Sequence, residues 1–507
     1  MYLTSLLAAP FAAALLACFG SGRDGAAATR LALVLSLVVA VLAVPLVVCM
    51  PGLSVEHAWF ALAGTDAVVH FSLASDGLSA WLVLLVAFLV PVALLASRDQ
   101  VGERMREFAV AVLLMEGLMI GALLARDLVL FYVFFEGMLI PMVVLMALFG
   151  GADRRGAALQ FFLYTMLGSV GLLVAIWYIA QTLQTTSLAE LVGNRSLASL
   201  ARGEQLAIFA AFALAFAVKV PLVPFHGWQA RAYAECPTGA VVLLSGAMAK
   251  LGTYGLIRFV LPLFPDLSAE FANVFIILGL VGVIAGALMA WAATDVKRLI
   301  AFSSLSHLGL VVVGIFSFSE IALAGAAVQM VAHGLSVAAL FILVGALESR
   351  ALTRGIDDFG GLAARTPILT VLFIGAALAS AALPGTANFA GEFLLLMGVF
   401  EPQRWWIAAI AGLSTILTAV YLLRLVQRWF YGPRRSDLAV LPDLAPREVV
   451  AVVPLLALSL FFGFYPKPIS AQAGVDAAKL GAEARRIAAG VPAPVAAVET
   501  KDAHVAR

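Results

Sequence analysis

Cysteine is nearly absent: Cys18, Cys49 and Cys236 are the only three, and they stand far apart. That spacing offers no CxxC pair for zinc or an iron–sulfur cluster and no disulfide framework, so any electron chemistry must take place in another chain. Charge is equally scarce. Asp, Glu, Lys and Arg make up 12% of the residues and nearly cancel, to a net charge of +1, which leaves no basic face for nucleic acid. The chain also lacks a glycine-rich dinucleotide fingerprint and a P-loop, the motifs that would hold NADH, flavin or a nucleotide triphosphate.

What fills the chain instead is apolar: 63% of the residues are hydrophobic, well above the roughly half-apolar usage of soluble domains, and this composition defines an integral membrane protein. Apolar runs of about 17 to 25 residues, each long enough to cross a ~30 Å hydrocarbon core as a helix, recur along nearly the whole length. They predict an all-α polytopic membrane protein of about fourteen transmembrane helices, at 2–19, 30–50, 79–97, 108–124, 128–149, 159–181, 206–223, 238–263, 272–292, 299–317, 321–347, 366–400, 405–429 and 448–466. The first run lacks a basic leader and is followed directly by another long span, so it reads as a transmembrane helix and not as a signal peptide. The tail beyond Pro468 reads as a short surface helix ending in disorder.

Loop arginines and lysines set the orientation. The odd-numbered loops carry seventeen of them and the even-numbered loops only Arg126, Arg195, Arg202 and Arg404. This places the odd loops in the cytoplasm and both chain termini outside it.

A small set of ionisable residues remains at membrane depth: Glu116, Glu136, Lys219, Lys250, Arg258, His307, His333, Glu392 and Arg424. Each costs about 3 kcal/mol or more to bury unless it is paired or hydrated. Arg258 and Arg424 lie near the ends of their spans, where snorkelling to the headgroups is the ordinary alternative. Glu116, in the middle of AVLLMEGLMIGALL, could serve a helix-packing hydrogen bond. His226 is either interfacial or lines an entry path, and His57 and His70 fall in a long outer loop as ordinary surface residues. A lone buried histidine is usually a satisfied core residue. The company of Lys250 and Glu392 turns His307 and His333 into relay candidates, because imidazole can take a proton at one nitrogen and release one at the other.

Two of these charges stand beside a helix breaker. Lys219 precedes Pro221 and Pro224, and Glu392 follows LPGTANFAG, with Pro384, Gly385 and Gly391. Proline removes a backbone donor and blocks the preceding turn, so helices seven and twelve should be discontinuous, as ion-binding helices of transporters are. The separation from Glu136 to Lys219 nearly equals that from His307 to Glu392. That suggests two five-helix repeats, helices 4–8 and 9–13, inverted relative to one another because each holds an odd number of spans. The expected units are residues 1–107, three helices with an outer loop; 108–263, the first repeat; 264–430, the second; and 431–507, the last helix and tail.

The segments SLASDGLSAWL, LVLFYVFFEGMLIPM, FFLYTMLGS, KVPLVPFHGW, LLSGAMAKLGTYGLIRF, DVKRLIAFSSLSHLG, MVAHGLSVAALFILVG and LPGTANFAGEFL occur in this order over most of the chain. Together they resemble the antiporter-like proton-pumping subunits of respiratory complex I. The resemblance implies that Glu136, Lys219, Lys250, His307, His333 and Glu392 form a central hydrophilic axis for protons; Glu116 and His226 stand beside them as lesser candidates from their own positions in the sequence. It implies no cofactor or metal in this chain, with NADH, FMN, iron–sulfur clusters and quinone in partner subunits, and hetero-oligomeric neighbours among the related L and N antiporter-like subunits. A bacterial-type inner membrane is the implied location, with lipid around the chain. Glu392 stands where the L and N subunits and cation/proton antiporters usually have lysine. One stretch departs: FHGWQARAYAECPT stands where the family usually reads like FHTWLPDAHTxAPT, so Arg231 and Tyr233 replace an aspartate and a histidine. A Mrp-type cation/proton antiporter or a hydrogenase-linked ion pump is the alternative within the same fold.

Overall fold

The computed structural model describes residues 1–19, 25–49, 52–433 and 441–491; the expected disordered tail end lies outside them. The protein is mostly helical, at 81%. Two long helices, α1 (Tyr2–Phe19) and α2 (Gly25–Val48), precede an antiparallel hairpin of β1 (Ser54–Ala61) and β2 (Val68–Ala74), paired from Ser54 with Ala74 to Ala61 with Val68. This hairpin replaces the outer loop expected from the sequence. β2 alternates Val69, Phe71 and Leu73 with His70 and Ser72, a pattern that suits a half-exposed ribbon, whereas β1 is exposed along nearly its whole length. His57 is exposed on β1, and His70 is half-buried on β2, its backbone amide held by Asp127.

Then follow α3 (Gly77–Val101), α4 (Met105–Leu124), α5 (Leu128–Gly137), α6 (Leu139–Phe149), α7 (Arg154–Leu183), the short α8 (Leu188–Gly193) and α9 (Arg202–Lys219). After α10 (Gln229–Glu235) comes a continuous rod, Thr238–Leu263, in which α11 (Thr238–Leu243), α12 (Lys250–Gly255) and α13 (Leu261–Leu263) are joined by π turns at Leu244–Met248 and Leu256–Val260. The second half runs through α14 (Pro265–Glu270), α15 (Ala272–Ala292), α16 (Val296–Phe316), α17 (Glu320–Ala351), α18 (Pro367–Ser380), α19 (Ala387–Val399), α20 (Trp405–Tyr431) and α21 (Pro446–Phe464), and ends in α22 (Lys467–Ile469) and α23 (Val475–Ala488).

Among the described residues eleven segments are long and apolar enough to cross a membrane, one of which, Gly77–Leu124, holds both α3 and α4. α18 and α19 are apolar but have only 14 and 13 residues, because Pro384 and Gly385 divide them. The rod Thr238–Leu263, α16 and α17 are buried almost all round, whereas α2, α7, α20 and α21 turn leucine, valine and aromatic side chains outward. A sleeve of apolar helices thus encloses a central group of three, and the central three carry Lys250, His307 and His333.

Small residues bring these helices together, as expected where lipid offers no hydrophobic contrast. α15 and α16 cross at Gly279 and Gly309: a Cβ on Gly309 would lie 2.6 Å from the Gly279 carbonyl oxygen, and one on Gly279 would lie 2.7 Å from that of Gly309. The segment after Pro466 is a docked element and not a free surface helix. Ala477, Gly481 and Ala484 of α23 are buried against the bundle, Asp476 accepts from the Gly77 amide at 2.7 Å, and the Trp81 indole donates to Gln472 at 3.0 Å. Alanine and glycine on one face allowed the close approach; the sequence showed the amphipathic pattern but not its receptor.

Candidate functional site

Two helix breaks shape the site. Pro221 has no N–H to offer the Ala217 carbonyl, which accepts from Leu222 instead, at 2.8 Å. That exchange frees the Val218 carbonyl, and the buried Trp228 indole donates to it at 3.0 Å. The Ala217 and Val218 carbonyls are thereby satisfied within the protein, as burial at membrane depth requires, and Lys219 is left as the last residue of α9. The second break follows the same logic. Pro384 offers no donor, Leu383 donates to Leu378 at 3.0 Å, Gly385 takes a positive φ of 95° that suits glycine, and α19 restarts at Ala387 with Glu392 one turn inside it.

At the first break, Lys219 is buried and its Nζ has no hydrogen-bond partner among the described residues; it lies 4.7 Å from the centroid of the Phe135 ring, a cation–π contact. Glu136, the next residue on α5, accepts from the Ser169 hydroxyl of α7 through one oxygen, while its other oxygen has no hydrogen-bond partner among the described residues. The acid and the base are neighbours without a direct ion pair. The end of α9 packs on α12 because Gly252 and Gly255 leave room: a Cβ on Gly252 would lie 2.7 Å from the Val220 amide nitrogen.

Lys250 follows the first π turn, and its ammonium folds back to the Ser245 carbonyl within that turn. A π turn in a helix is a frequent companion of functional side chains. The same Nζ is 2.8 Å from Nδ1 of His333 on α17. The His333 and His307 rings have centroids 5.3 Å apart, and Nδ1 of His307 is 2.9 Å from Oε1 of Glu392. Glu392 also accepts from the Gln329 amide at 3.2 Å and from the Thr415 hydroxyl at 2.7 Å. Lys250, His333, His307 and Glu392 are each no more than 2% exposed. Four exchangeable groups from four helices thus line up in one buried row, in which the two imidazoles are neighbours without a hydrogen bond between them among the described residues.

Glu116 is fully buried on α4 with both carboxylate oxygens unpartnered among the described residues, and His226 is half-buried in the break after α9; neither bonds to the row. Sequence reasoning passed over Ser169, Gln329 and Thr415, the donors that hold Glu136 and Glu392. Their only signal was a polar residue inside an apolar span. It also passed over Asp76 as a partner of Arg258. The Asp76 carboxylate, at the start of α3, takes Arg258 and, at 3.4 Å, Arg126, while the Tyr254 hydroxyl binds both guanidiniums at 3.1 Å. Burial alone would raise the Asp76 carboxyl, but the two arginines outweigh it and hold the group well below the usual carboxylate range. Arg258 is therefore a paired residue and not a snorkelling one. Arg231 of the departing QARAY stretch pairs with Asp153 and donates to Gln160 at 2.9 Å, and Tyr233 is buried edge-on against the Trp228 and Phe341 rings.

A multi-span helical bundle with broken helices and a buried row of exchangeable groups defines a membrane ion-translocating protein of the antiporter type. Residues 125–418 match the family model described as NADH:quinone oxidoreductase/Mrp antiporter, transmembrane. The chain is 42% identical to NADH-quinone oxidoreductase subunit M of Pseudomonas aeruginosa over 413 residues, 79% of this chain and 80% of that one. It is 40% identical to the subunit M of Rickettsia prowazekii over 405 residues, 79% and 81% of the two chains. A chain of the respiratory complex I of Thermus thermophilus with bound NADH superposes with a TM-score of 0.82 at 32% identity, covering 95% of this chain and 100% of that one. The protein belongs to the NADH-quinone oxidoreductase subunit M family.

Proposed function

We propose that the chain is a proton-translocating membrane-arm subunit of NADH-quinone oxidoreductase. It moves protons from the cytoplasm to the outside of a bacterial-type inner membrane, driven by redox energy from partner subunits that carry NADH, FMN, iron–sulfur clusters and quinone. The related L and N antiporter-like subunits are its membrane neighbours. In this reading fourteen helices cross the membrane, both termini lie outside, and residues 108–263 and 264–430 are two inverted five-helix units following the three helices of 1–107 and preceding the last helix and tail of 431–507.

The observation that carries the reading is the buried row Lys250, His333, His307, Glu392. Glu136 sets the proton occupancy of Lys219, because a carboxylate beside a buried ammonium favours the charged form and its withdrawal favours release. The proton passes through water to Lys250 and on to Nδ1 of His333. Each imidazole accepts at one nitrogen and releases from the other, and His307 delivers the proton to Glu392, which the Gln329 and Thr415 donors hold in place. Glu116 and His226 sit off this row and take supporting parts.

The test is proton translocation driven by NADH in the assembled complex carrying Lys219→Ala or Glu136→Ala. The expected result is loss of translocation with normal assembly. Normal pumping in both variants would sink the mechanism.

A further inference from the structure

A cleft of about 400 Å³ opens on the flank of the bundle between the end of α15, the start of α16 and the last turns of α20. Its polar lining is Trp291, Thr294, Asp357, Tyr421, Arg424 and Arg428. The charges do not balance. Arg428 is paired with Asp357 at 2.9 Å, whereas Arg424, one turn earlier on α20, has no carboxylate partner among the described residues. Its guanidinium lies 5.3 Å from the Trp291 ring centroid, and that indole is about half exposed on the outer surface of the bundle.

The depth is that of a membrane interface. Trp291 is the next-to-last residue of α15, and Arg424 lies seven residues before the end of α20, about 10 Å along the axis at 1.5 Å per residue. Tryptophan concentrates at headgroup level, and an arginine stem reaches from the hydrocarbon edge to the same level. An arginine that merely reaches for water needs neither an aromatic face nor a cleft. Here the guanidinium is laid against an indole, beside a cavity roomier than one side chain, with one positive charge in excess. A planar five-donor fork of this kind matches a phosphate in a two-pronged arrangement.

We propose that this cleft binds the headgroup of an anionic phospholipid, with Arg424 holding the phosphate and Trp291 covering the guanidinium. The cleft's lining includes none of the residues of the proton row, so the proposal holds or fails independently of the function proposed above.

The test places the photo-cross-linking residue p-benzoylphenylalanine at Thr294, an exposed rim position, in the full chain in its native membrane, followed by mass analysis of the irradiated chain. The expected product is an adduct with the mass of an anionic phospholipid, and Arg424→Gln should lower its yield about tenfold, the factor set by about one charge-assisted contact. Arg424→Lys should retain part of the yield. An adduct to a neighbouring subunit, an adduct that ignores Arg424→Gln, a yield indifferent to lipid charge or no lipid adduct at all would each overturn the proposal. If the Thr294 variant does not accumulate, the same residue at Ala292, an exposed position in the cleft lining that takes no part in the proposed contacts, reports with the same outcomes.

Discussion

Asp76→Asn removes one negative charge and almost nothing else. Asparagine keeps the shape, and it can still accept from the Ser79 amide, as Asp76 does at 2.9 Å to cap α3. What disappears is the only carboxylate among the described residues held between Arg258 and Arg126, whose side chains are 6% and 12% exposed. Breaking a fully buried pair by removing one partner costs about 3–5 kcal/mol, and a solvent-exposed pair about 0–1. The Asp76 side chain is 25% exposed and Arg126 keeps the Tyr254 hydroxyl and two carbonyls, so the cost falls toward about 2–3 kcal/mol. Adding Arg258→Met should return more than half of it, since the stranded guanidinium is then gone. Thermal unfolding of the detergent-solubilised chain, followed by loss of the monodisperse species, reads both variants. The carboxyl is lowered in the fold, so its contribution is complete above about pH 4, its unfolded range, and is lost only as pH falls through the lower folded value; the Asn variant should lack that acid dependence. A loss below about 0.5 kcal/mol, or no recovery in the double variant, would refute the assignment of a functioning ion cluster.

Gly398→Ala should cost about 1–3 kcal/mol by overpacking, because its Cβ would be driven onto the backbone nitrogen of Ala322 where α17 and α19 cross; unchanged thermal stability would show that the crossing is looser than described. Arg231→Ala should change stability by less than about 1 kcal/mol, since the Arg231–Asp153 pair is 39% and 53% exposed and screened by water. A loss above about 2 kcal/mol in the same assay would mean that the QARAY stretch is anchored through this residue.

Much of this architecture was legible because hydrocarbon imposes a strong rule: every span must be apolar and long, so any charge inside one stands out. Lys219 and Glu392 were visible for that reason, and the helix breaks beside them were visible because proline cannot donate. Partners were harder to see. Gln329 and Thr415 lie in different spans from Glu392, and nothing in a linear pattern states which spans pack together. Asp76 looked like a loop residue, and only the fold brings it to Arg258, 182 positions later. The hairpin was missed because a two-stranded ribbon outside the membrane carries no span signal. The π turns flanking Lys250 leave no mark in an apolar run at all. Arg231 and Tyr233 show that a departure from a family pattern is re-accommodated by local partners, Asp153 and Gln160 for one and the Trp228 and Phe341 rings for the other.

The most direct test of the central claim is the number of protons translocated per NADH oxidised by the assembled complex in proteoliposomes, with Lys250→Met in this chain. Methionine fills similar space but cannot hold or pass a proton, and it faces His333 where the ammonium stood at 2.8 Å. The buried row predicts a lower proton-to-NADH ratio with the complex intact. An unchanged ratio at normal assembly and normal quinone reduction would contradict it.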